Sequence, residues 1–497
     1  MAEIIQLITL QSMLFTVFGT FVGIVVGAIP GLTATMAIAV LTSLTFGMET
    51  IDAIAMMLGV FVGGVYGGSI AAILMKVPGT SSAVMTSLDG YPMAQRGEGG
   101  KAIGIATCAS FFGGVVSCAI LIFGCTAIAS VASKFGYPEY FVLCIFGLVV
   151  IASATSESLV KGLIATALGV LLTCCGMDSL TGLTRFTFGS RQLMSGVDMV
   201  AILIGMFGVS EIIKQLFRVK TVKRETQRIG RIFPGWKMLW NLKGTLIRHA
   251  LIGTGVGAMP GAGGPIAAFI SYNMEKNASD HPEKFGTGVP EGIAACECSN
   301  NATVGGALIP MLALGVPGDG CTAIIMSTFA IHGLRLGPNI FVEQSAIVHS
   351  TYIYAIVANI VMLCMGLFMA RFFAKILDLD KKMLLPLILM VCMIGSYAST
   401  NKTFNIGMMV FFGIVGFLLD YVGVSPSALI LGQVLGNLLE TNLRQSLILS
   451  RGSYRIFFSR PICIFFWAAT LLLVGWPYIK KFAAKRKVKA TSTEKSC

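Results

Sequence analysis

Long apolar stretches recur along the whole chain and are separated by short polar or glycine-rich segments. Many of them approach the roughly twenty residues that cross a bilayer as a helix. Others are shorter and adjoin Pro-Gly pairs, which predicts half-helices or re-entrant segments instead of full spans. The apolar stretches cover residues 8–28, 33–47, 51–75, 102–132, 139–155, 159–176, 197–217, 249–272, 301–316, 320–333, 345–373, 383–399, 405–424 and 456–479. This pattern predicts an all-α polytopic membrane protein with about 10–12 transmembrane helices.

The composition supports the same fold class. Of the 497 residues, 55% are hydrophobic and only 12% are charged, whereas a soluble globular domain carries about 25% charged residues. The thirteen cysteines lack a metal-type CxxC spacing, and most lie in apolar runs. We therefore expect them to pack as small hydrophobic residues. The chain shows no catalytic dyad, no metal cluster and no Walker lysine motif, so we expect neither an enzyme nor ATP-driven transport.

The net charge of +13 is concentrated in two segments. Ten Lys/Arg and one acidic residue lie between Lys214 and Arg248, and seven Lys/Arg and one acidic residue lie between Lys480 and Cys497. Basic segments beside membrane spans indicate cytoplasmic loops, so nucleic acid is not an expected partner. Because the first 75 residues contain no Lys or Arg, we expect the amino terminus to lie outside.

Two motifs recur in the same order in both halves of the chain. GAIPG at residues 27–31 matches GAMPG at 257–261, and YGGSIAAILMKVPGT at 66–80 aligns with GGALIPMLALGVPGD at 305–319. The first unit is predicted to enter the membrane from outside, and the second unit enters after the cytoplasmic loop. We therefore predict two inverted-topology repeats with discontinuous or re-entrant helices, the architecture of many secondary transporters. The predicted organisation is membrane repeat 1 at 1–213, a basic cytoplasmic loop at 214–248, membrane repeat 2 with C-terminal helices at 249–479 and a basic cytoplasmic tail at 480–497.

The matched motifs place two Pro-Gly breaks in each repeat. Within lipid, an unwound backbone survives only where protein or a water-filled cavity surrounds it. Freed carbonyls, hydroxyls and a carboxylate suit a small hard cation, whereas the N–H groups at the start of a half-helix attract carboxylates. The breaks therefore predict a site for an anionic solute and its coupling ion. The alternative is that Pro and Gly only kink packed helices.

Candidate site residues are the glycines, hydroxyls and amides near these breaks, together with the Pro-Gly pairs themselves. The predicted substrate-binding residues are Gly31, Thr33, Thr35, Gly79, Thr80, Ser81, Gly261, Gly263, Asn300 and Asn301. The predicted ion-binding residues are Pro30, Pro78, Pro260, Pro317, Gly318 and Asp319. We expect no metal and no organic cofactor, with Na⁺ or H⁺ as the coupling ion.

Three further features leave alternatives open. Lys76 either meets an anionic substrate or extends to the membrane interface. The stretch TSLDGYPMAQRGEGGKA at 86–102 is predicted to be a polar loop, most simply a tight turn, with contact to a partner subunit as the alternative. The amphipathic stretch at 425–452 either lies at the membrane interface or packs against the bundle.

The chain resembles the large membrane subunit of the bacterial tripartite tricarboxylate transporters. The motifs that carry the resemblance spread over nearly the whole chain, and LDGYPMAQRG followed by SFFGG is the most specific. They are GAIPGLTATMAIAVL, VPGTSSAVMTSLDGYPMAQRGEGGKAIGIATCASFFGG, GAMPGAGGPIAAFISY, ECSNNATVGGALIPMLALGVPGDG and VLGNLLETNLRQSLILSRG. The family motif usually reads Glu-Ala-Ala-Asn-Asn, whereas this chain has Glu297-Cys298-Ser299-Asn300-Asn301.

The resemblance implies a set of partners and an energy source. The partners are a periplasmic solute-binding protein that delivers a carboxylate, and a small membrane subunit, all at the bacterial inner membrane. Uptake is expected to be symport of a tricarboxylate or related organic acid with Na⁺ or H⁺. A passive channel or a membrane-embedded enzyme is the alternative, although no acidic ring or filter-like motif supports a channel.

Overall fold

The protein is a bundle of helices, many of them broken or short. The computed structural model describes residues 8–155, 158–178, 181–217, 229–377 and 381–475. Residues 218–228 of the basic stretch, and the predicted tail at 480–497, lie outside the described residues.

The described residues of the first unit, up to residue 217, contain nine α-helices and one short strand pair. The helices are α1 (Leu10–Ala28), α2 (Ala34–Thr42), α3 (Thr50–Met75), α4 (Thr86–Met93), α5 (Gly99–Ala132), α6 (Tyr137–Thr155), α7 (Leu159–Thr173), α8 (Met199–Leu203) and α9 (Ser210–Phe217). Strands β1 (Gly176–Met177) and β2 (Thr184–Arg185) pair antiparallel. The 3₁₀ turns are Ser43–Gly47, Ser81–Val84 and Arg191–Ser195, and the π-turns are Ala94–Glu98 and Ile204–Val209.

The remainder of the described chain contains thirteen further helices. They are α10 (Trp236–Asn241), α11 (Lys243–Gly257), α12 (Gly263–Ala278), α13 (Pro290–Leu314), α14 (Gly320–Ile331), α15 (Ile340–Glu343), α16 (Ser345–Phe368), α17 (Ala370–Ile376), α18 (Lys381–Ala398), α19 (Thr403–Tyr421), α20 (Pro426–Leu449), α21 (Ile456–Ser459) and α22 (Pro461–Gly475). A 3₁₀ turn covers Pro282–Lys284.

The helical membrane-protein prediction is confirmed. Among the described residues, six helical segments are long and apolar enough to cross a bilayer, namely Leu10–Ala28, Thr50–Met75, Thr86–Ala132, Met199–Phe217, Ser345–Phe368 and Thr403–Tyr421. Shorter apolar helices include α7, α14 and α22. The exact number of crossings stays a prediction.

Glycines allow the first helices of each unit to pack backbone against backbone. A Cβ added at Gly23 would lie 2.5 Å from the Val60 carbonyl oxygen, and one at Gly27 would lie 2.4 Å from that of Gly64. Because both contacts advance along the chain in the same direction, α1 and α3 run parallel. Close approach through small residues is how helices associate in lipid, where no hydrophobic force drives them together.

The second unit repeats this packing at the corresponding positions. A Cβ at Gly253 would lie 2.2 Å from the Ser299 carbonyl oxygen, and one at Gly257 would lie 2.5 Å from that of Thr303. Helices α11 and α13 are therefore also parallel. Each contacting residue of the second unit is the one that the motif alignments pair with a contacting residue of the first unit.

Corresponding helices of the two units run in opposite directions. Helix α3 is antiparallel to α5, because Tyr66 Oη lies 2.7 Å from Thr107 Oγ1 and Leu74 contacts Gly99. Helix α5 is parallel to α13, because Gly113 packs on Cys298 and Cys125 Sγ donates to the Ile309 carbonyl at 3.7 Å. Helices α3 and α13 are therefore antiparallel.

The amphipathic stretch at 425–452 forms α20, which packs against the bundle. A Cβ at Gly432 would lie 2.1 Å from the Thr166 carbonyl oxygen of α7, and Leu431 and Leu435 are fully buried. Of the two alternatives, the structure therefore favours packing over an interfacial helix.

Candidate functional site

Four breaks separate helices at the positions that the Pro-Gly pairs predict. Break 1 is residues 29–33, break 2 is 76–80, break 3 is 258–262 and break 4 is 315–319. Each begins where a helix from the repeated motifs ends.

Each break contains one residue with left-handed backbone torsions. Three of these residues are glycines, with φ of 90° at Gly31, 83° at Gly261 and 69° at Gly315. The fourth is Lys76, with φ of 56°, a conformation that costs a residue with a Cβ about 1–2 kcal/mol. Its side chain is exposed, and Nζ lies 5.7 Å from the centre of the Tyr91 ring. Both interpretations of Lys76 remain open.

Within the second unit the two breaks touch, and within the first unit break 2 packs on the last turn of α1, directly before break 1. Gly79 N–H donates to the Gly68 carbonyl at 3.3 Å, and a Cβ at Gly79 would lie 2.0 Å from the Gly27 carbonyl oxygen. In the second unit, Gly261 N–H donates to the Gly318 carbonyl at 2.7 Å. The contact at Gly79 requires glycine, since a Cβ there would collide with backbone.

Contacts between the units close a ring of breaks. A Cβ at Gly264, just after break 3, would lie 3.2 Å from Ser82 Cβ, just after break 2. Thr35 Oγ1, just after break 1, lies 3.3 Å from Cys321 Sγ, just after break 4. The ring of breaks, which we define as breaks 1–4 with these four flanking residues and Gly27 at the end of α1, therefore contains four successive contacts, two within the units and two between them.

Polar side chains start the half-helices that follow the breaks. Thr33 caps α2 by accepting from Met36 N–H at 3.1 Å. Asp319 caps α14, and its Oδ1 accepts from Thr322 N–H at 2.8 Å and from Thr322 Oγ1 at 2.7 Å. One oxygen of the predicted ion ligand Asp319 is thus engaged in helix capping.

The predicted residues differ in how far they face solvent. Pro30, Gly79, Thr80, Gly263, Pro317 and Gly318 are buried, whereas Gly31, Thr33, Thr35, Pro78, Pro260, Gly261 and Asp319 are partly exposed. Ser81 is exposed. Thr80 Oγ1 lies 3.1 Å from Ser82 Oγ. Of these two residues, Ser82 is the one that contacts Gly264 of the second unit.

The two asparagines of α13 face different surroundings. Asn300 lies at the ring, where its Oδ1 is 2.4 Å from the position of a Cβ at Gly264, and Nδ2 donates to the Val65 carbonyl at 3.4 Å. Asn301 instead donates from Nδ2 to Ser110 Oγ of α5 at 2.7 Å. The Oδ1 atoms of both asparagines are buried and lack a hydrogen-bond partner. Such acceptors are costly to bury and are free to receive a ligand.

A buried carboxylate lies beside Asn301. Glu297 is completely buried. Its Oε1 accepts from Thr86 Oγ1 at 2.5 Å, and its Oε2 accepts from Ser110 Oγ at 3.2 Å. Thr86, Ser110, Glu297 and Asn301 form one polar group, called here the Glu297 cluster.

A polar cavity of about 600 Å³ reaches the surface between the two units. It is lined by residues from Leu172 to Met199 of the first unit and by parts of α14 and α20. Two ion pairs cross it: Arg185 Nη1 donates to Glu440 Oε1 at 2.6 Å, and Arg444 Nη1 donates to Asp178 Oδ1 at 2.8 Å.

The sequence prediction for residues 86–102 was wrong. This stretch is helical, with α4, a π-turn at Ala94–Glu98 and the start of α5. The apolar sequence of the neighbouring elements did not indicate that polar side chains of this stretch point into the bundle. Asp89, for example, is fully buried.

Asp89 and Arg96 together hold the loop before α13. Asp89 Oδ1 accepts from the N–H groups of Gly286, Gly288 and Val289 at 2.9, 2.8 and 2.9 Å. Arg96 Nη2 donates to the Gly288 carbonyl at 2.9 Å. Asp89 thus accepts from the N–H groups of this loop segment, and Arg96 donates to one of its carbonyls. We name this arrangement the Asp89 clamp.

The sequence-based site omitted Thr86, Ser82 and Ser110. Ser110 is a hydroxyl in an otherwise apolar helix, which is common in membrane proteins and so carries little weight alone, whereas Ser82 and Thr86 lie in a stretch rich in polar residues where nothing distinguishes them. The ion pairs of the cavity join residues 255 and 266 positions apart, and no local pattern predicts such pairing.

Comparison with known proteins identifies the family. The model of the tripartite tricarboxylate transporter TctA family matches residues 13–431. The chain is 37% identical over 457 residues to the "Uncharacterized 52.8 kDa protein in TAR-I ttuC' 3'region" of Agrobacterium vitis, covering 92% of this chain and 90% of the relative. It is 36% identical over 223 residues to the "Uncharacterized protein in TAR-II ttuC' 3'region" of the same organism, covering 45% of this chain and 90% of that relative. No solved structure matches. The chain therefore belongs to the tripartite tricarboxylate transporter TctA family and is a membrane component of a transporter.

Proposed function

We propose that the chain is the large membrane subunit of a binding-protein-dependent secondary transporter that imports a carboxylate with Na⁺ or H⁺. Its partners are a periplasmic solute-binding protein and a small membrane subunit, in the bacterial inner membrane. The ring of breaks forms the solute site in this proposal.

The closed ring of breaks is the observation that carries the proposal. If Pro and Gly only kinked packed helices, the four breaks would have no reason to touch one another. Instead they converge beside Asn300, whose Oδ1 is buried and without a partner. Half-helix starts supply N–H donors to a carboxylate, and freed carbonyls supply oxygens to a cation.

The opposite directions of the two units support inverted repeats. Repeats of this kind place the solute site where their broken helices meet, so that the site opens to either side in turn. The contacts of Ser82 with Gly264 and of Thr35 with Cys321 occur at corresponding positions of the two units.

The polar cavity supports delivery of the solute from the periplasm. Met199, which lines the cavity, is the first residue of the helical segment that ends at Phe217, next to the basic stretch. Nineteen helical residues extend about 28 Å, so the cavity lies on the side opposite the basic stretch. The positive-inside rule makes that side periplasmic.

Reconstitution tests the proposal directly. The chain is placed in proteoliposomes with its small subunit, and a panel of labelled di- and tricarboxylates is supplied with the cognate binding protein. We expect accumulation that requires an imposed Na⁺ or H⁺ gradient and the binding protein. Accumulation without either gradient, or single-channel conductance, would contradict symport.

A further inference from the structure

The Glu297 carboxylate is buried at the middle of the bundle without a basic partner. Its hydrogen-bond donors are the hydroxyls of Thr86 and Ser110. Among the described residues, no Lys, Arg or His forms an ion pair with it. An ionised carboxylate in a low-dielectric interior is costly unless a positive charge neutralises it. An ionisable group at such a position inside a membrane protein is expected to have a function.

The surrounding groups can serve both the ionised and the protonated carboxyl. A hydroxyl donates to a carboxylate and equally accepts from a carboxylic acid. Ser110 Oγ also accepts from Asn301 Nδ2 at 2.7 Å, so the serine keeps one bond whichever way its own proton points. The cluster therefore accommodates gain and loss of a proton without losing its framework.

The other ionisable groups near Glu297 are not basic. Tyr66 of α3 and the neighbouring Cys296 interact with it electrostatically. Asp89 lies one helical turn beyond Thr86 on α4. None of the three carries a positive charge. No basic side chain among them therefore competes with a proton for the Glu297 carboxylate.

The position of Glu297 on α13 links it to the ring of breaks. Residues three apart on a helix lie about 5–6 Å apart at their Cβ atoms, so Glu297 is adjacent to Asn300, which lies beside the ring. An anion held at Asn300 would repel an ionised Glu297 and favour its protonated form. By reciprocity, protonation of Glu297 would favour binding of the anion by the same factor.

We propose that Glu297 is the coupling residue, which takes up one proton from the outer side with each carboxylate bound and releases it to the cytoplasm. The inference rests on the proposed symport function, and it names the coupling ion as H⁺. The site differs from the breaks and Asp319, to which the sequence pattern assigned the ion.

The test separates net uptake from exchange in proteoliposomes that hold the chain and its small subunit. Glu297→Gln keeps the size and an acceptor for one of the two hydroxyls but cannot exchange a proton. We expect counterflow of labelled against unlabelled carboxylate to stay within about twofold of the parent, whereas net uptake driven by a pH gradient falls at least about tenfold. A merely structural role would lower both rates in parallel, and that result would overturn the proposal.

Asp52→Asn is the matched control. Asp52 is also buried, at 2% exposure, and accepts from Ser12 Oγ at 2.5 Å and Gln11 Nε2 at 2.7 Å, but it lies at the start of α3, away from the ring. We expect both rates to remain near those of the parent. Pronounced loss of pH-driven uptake in this variant, with exchange retained, would remove the special role of Glu297.

The parent protein distinguishes failure of this inference from failure of the proposed function. Separate pH and Na⁺ gradients are imposed on it. Uptake driven by Na⁺ alone would overturn Glu297 as the proton site and leave symport standing, whereas no gradient-driven uptake at all would overturn symport itself.

A second variant keeps the proposal testable if Glu297→Gln does not fold. Thr86→Val removes a hydroxyl that donates to the ionised carboxylate and preserves the side-chain shape. We expect the pH of half-maximal uptake to rise by about one unit, since the lost hydrogen bond stabilises the ionised form of the carboxyl. Thr86→Ser should restore the parent profile. An unchanged profile in Thr86→Val would contradict the proposal.

Discussion

Single glycines determine how closely the repeated helices approach. Gly257 and Gly255 lie on the same helix, α11, two residues apart. A Cβ at Gly257 would lie 2.5 Å from the Thr303 carbonyl oxygen, whereas a Cβ at Gly255 would meet nothing within 4 Å. Comparing the two positions therefore distinguishes a glycine that close helix packing requires from one that only lowers helix propensity.

Gly257→Ala is expected to lower stability by about 2 kcal/mol or more, because the clash is with backbone and cannot relax through a rotamer. Gly255→Ala should raise stability by about 0.5–1 kcal/mol, the usual gain from replacing an unconstrained helical glycine. Thermal unfolding of the purified protein in detergent measures both. Equal shifts in the two variants would show that the α11–α13 contact does not limit stability.

Sequence alone aligned the packing glycines Gly27 and Gly257 through the repeated GAIPG and GAMPG motifs. It also located the four breaks, since Pro and Gly act locally through the backbone. It did not separate Asn300 from Asn301, because neighbouring helical positions point about 100° apart and only the tertiary packing shows which faces the ring. Contacts between the units, such as Thr35 with Cys321, depend on how the two units dock.

At the scale of elements, the Asp89 clamp joins α4 of the first unit to the loop before α13 of the second. Three backbone N–H groups converge on Asp89 Oδ1, and Tyr272 Oη donates to Oδ2 at 2.9 Å. Gly292 leaves room for it, since a Cβ there would lie 2.3 Å from Oδ2. The sequence suggested only a turn here because the partners lie about 200 residues away.

Asp89→Ala should lower the stability of the protein by about 3 kcal/mol, since it leaves the buried Tyr272 hydroxyl and three part-buried N–H groups without their acceptor. Asp89→Asn should lose less, because one oxygen still accepts. The midpoint of denaturation reports the difference. Asp280→Ala removes an exposed carboxylate in the loop after α12 and serves as the control. A loss in the control as large as in Asp89→Ala would mean that general charge effects, and not the clamp, set the result.

At the scale of the whole molecule, the two units either separate at the ring during transport or move with the ring as one body. The contacts between the units favour one body, because Ser82 packs closely against Gly264 and Thr35 Oγ1 lies 3.3 Å from Cys321 Sγ. Close-packed interfaces of this kind transmit displacement and do not stretch. The motion that exposes the ring to each side would then occur at the surface between this body and the surrounding helices.

A cross-link between the units tests this expectation. Thr35 Oγ1 lies 3.3 Å from Cys321 Sγ, so Thr35→Cys places two sulfur atoms next to each other across the units. After oxidation, the disulfide is quantified by mass spectrometry, and uptake is compared before and after reduction. We expect the cross-linked protein to keep at least about half of its uptake, because the bond joins parts that already move together. The unsubstituted protein under the same oxidant is the control for effects on the native cysteines. Uptake that disappears on oxidation and returns on reduction would instead show that the two units part at the ring in every cycle.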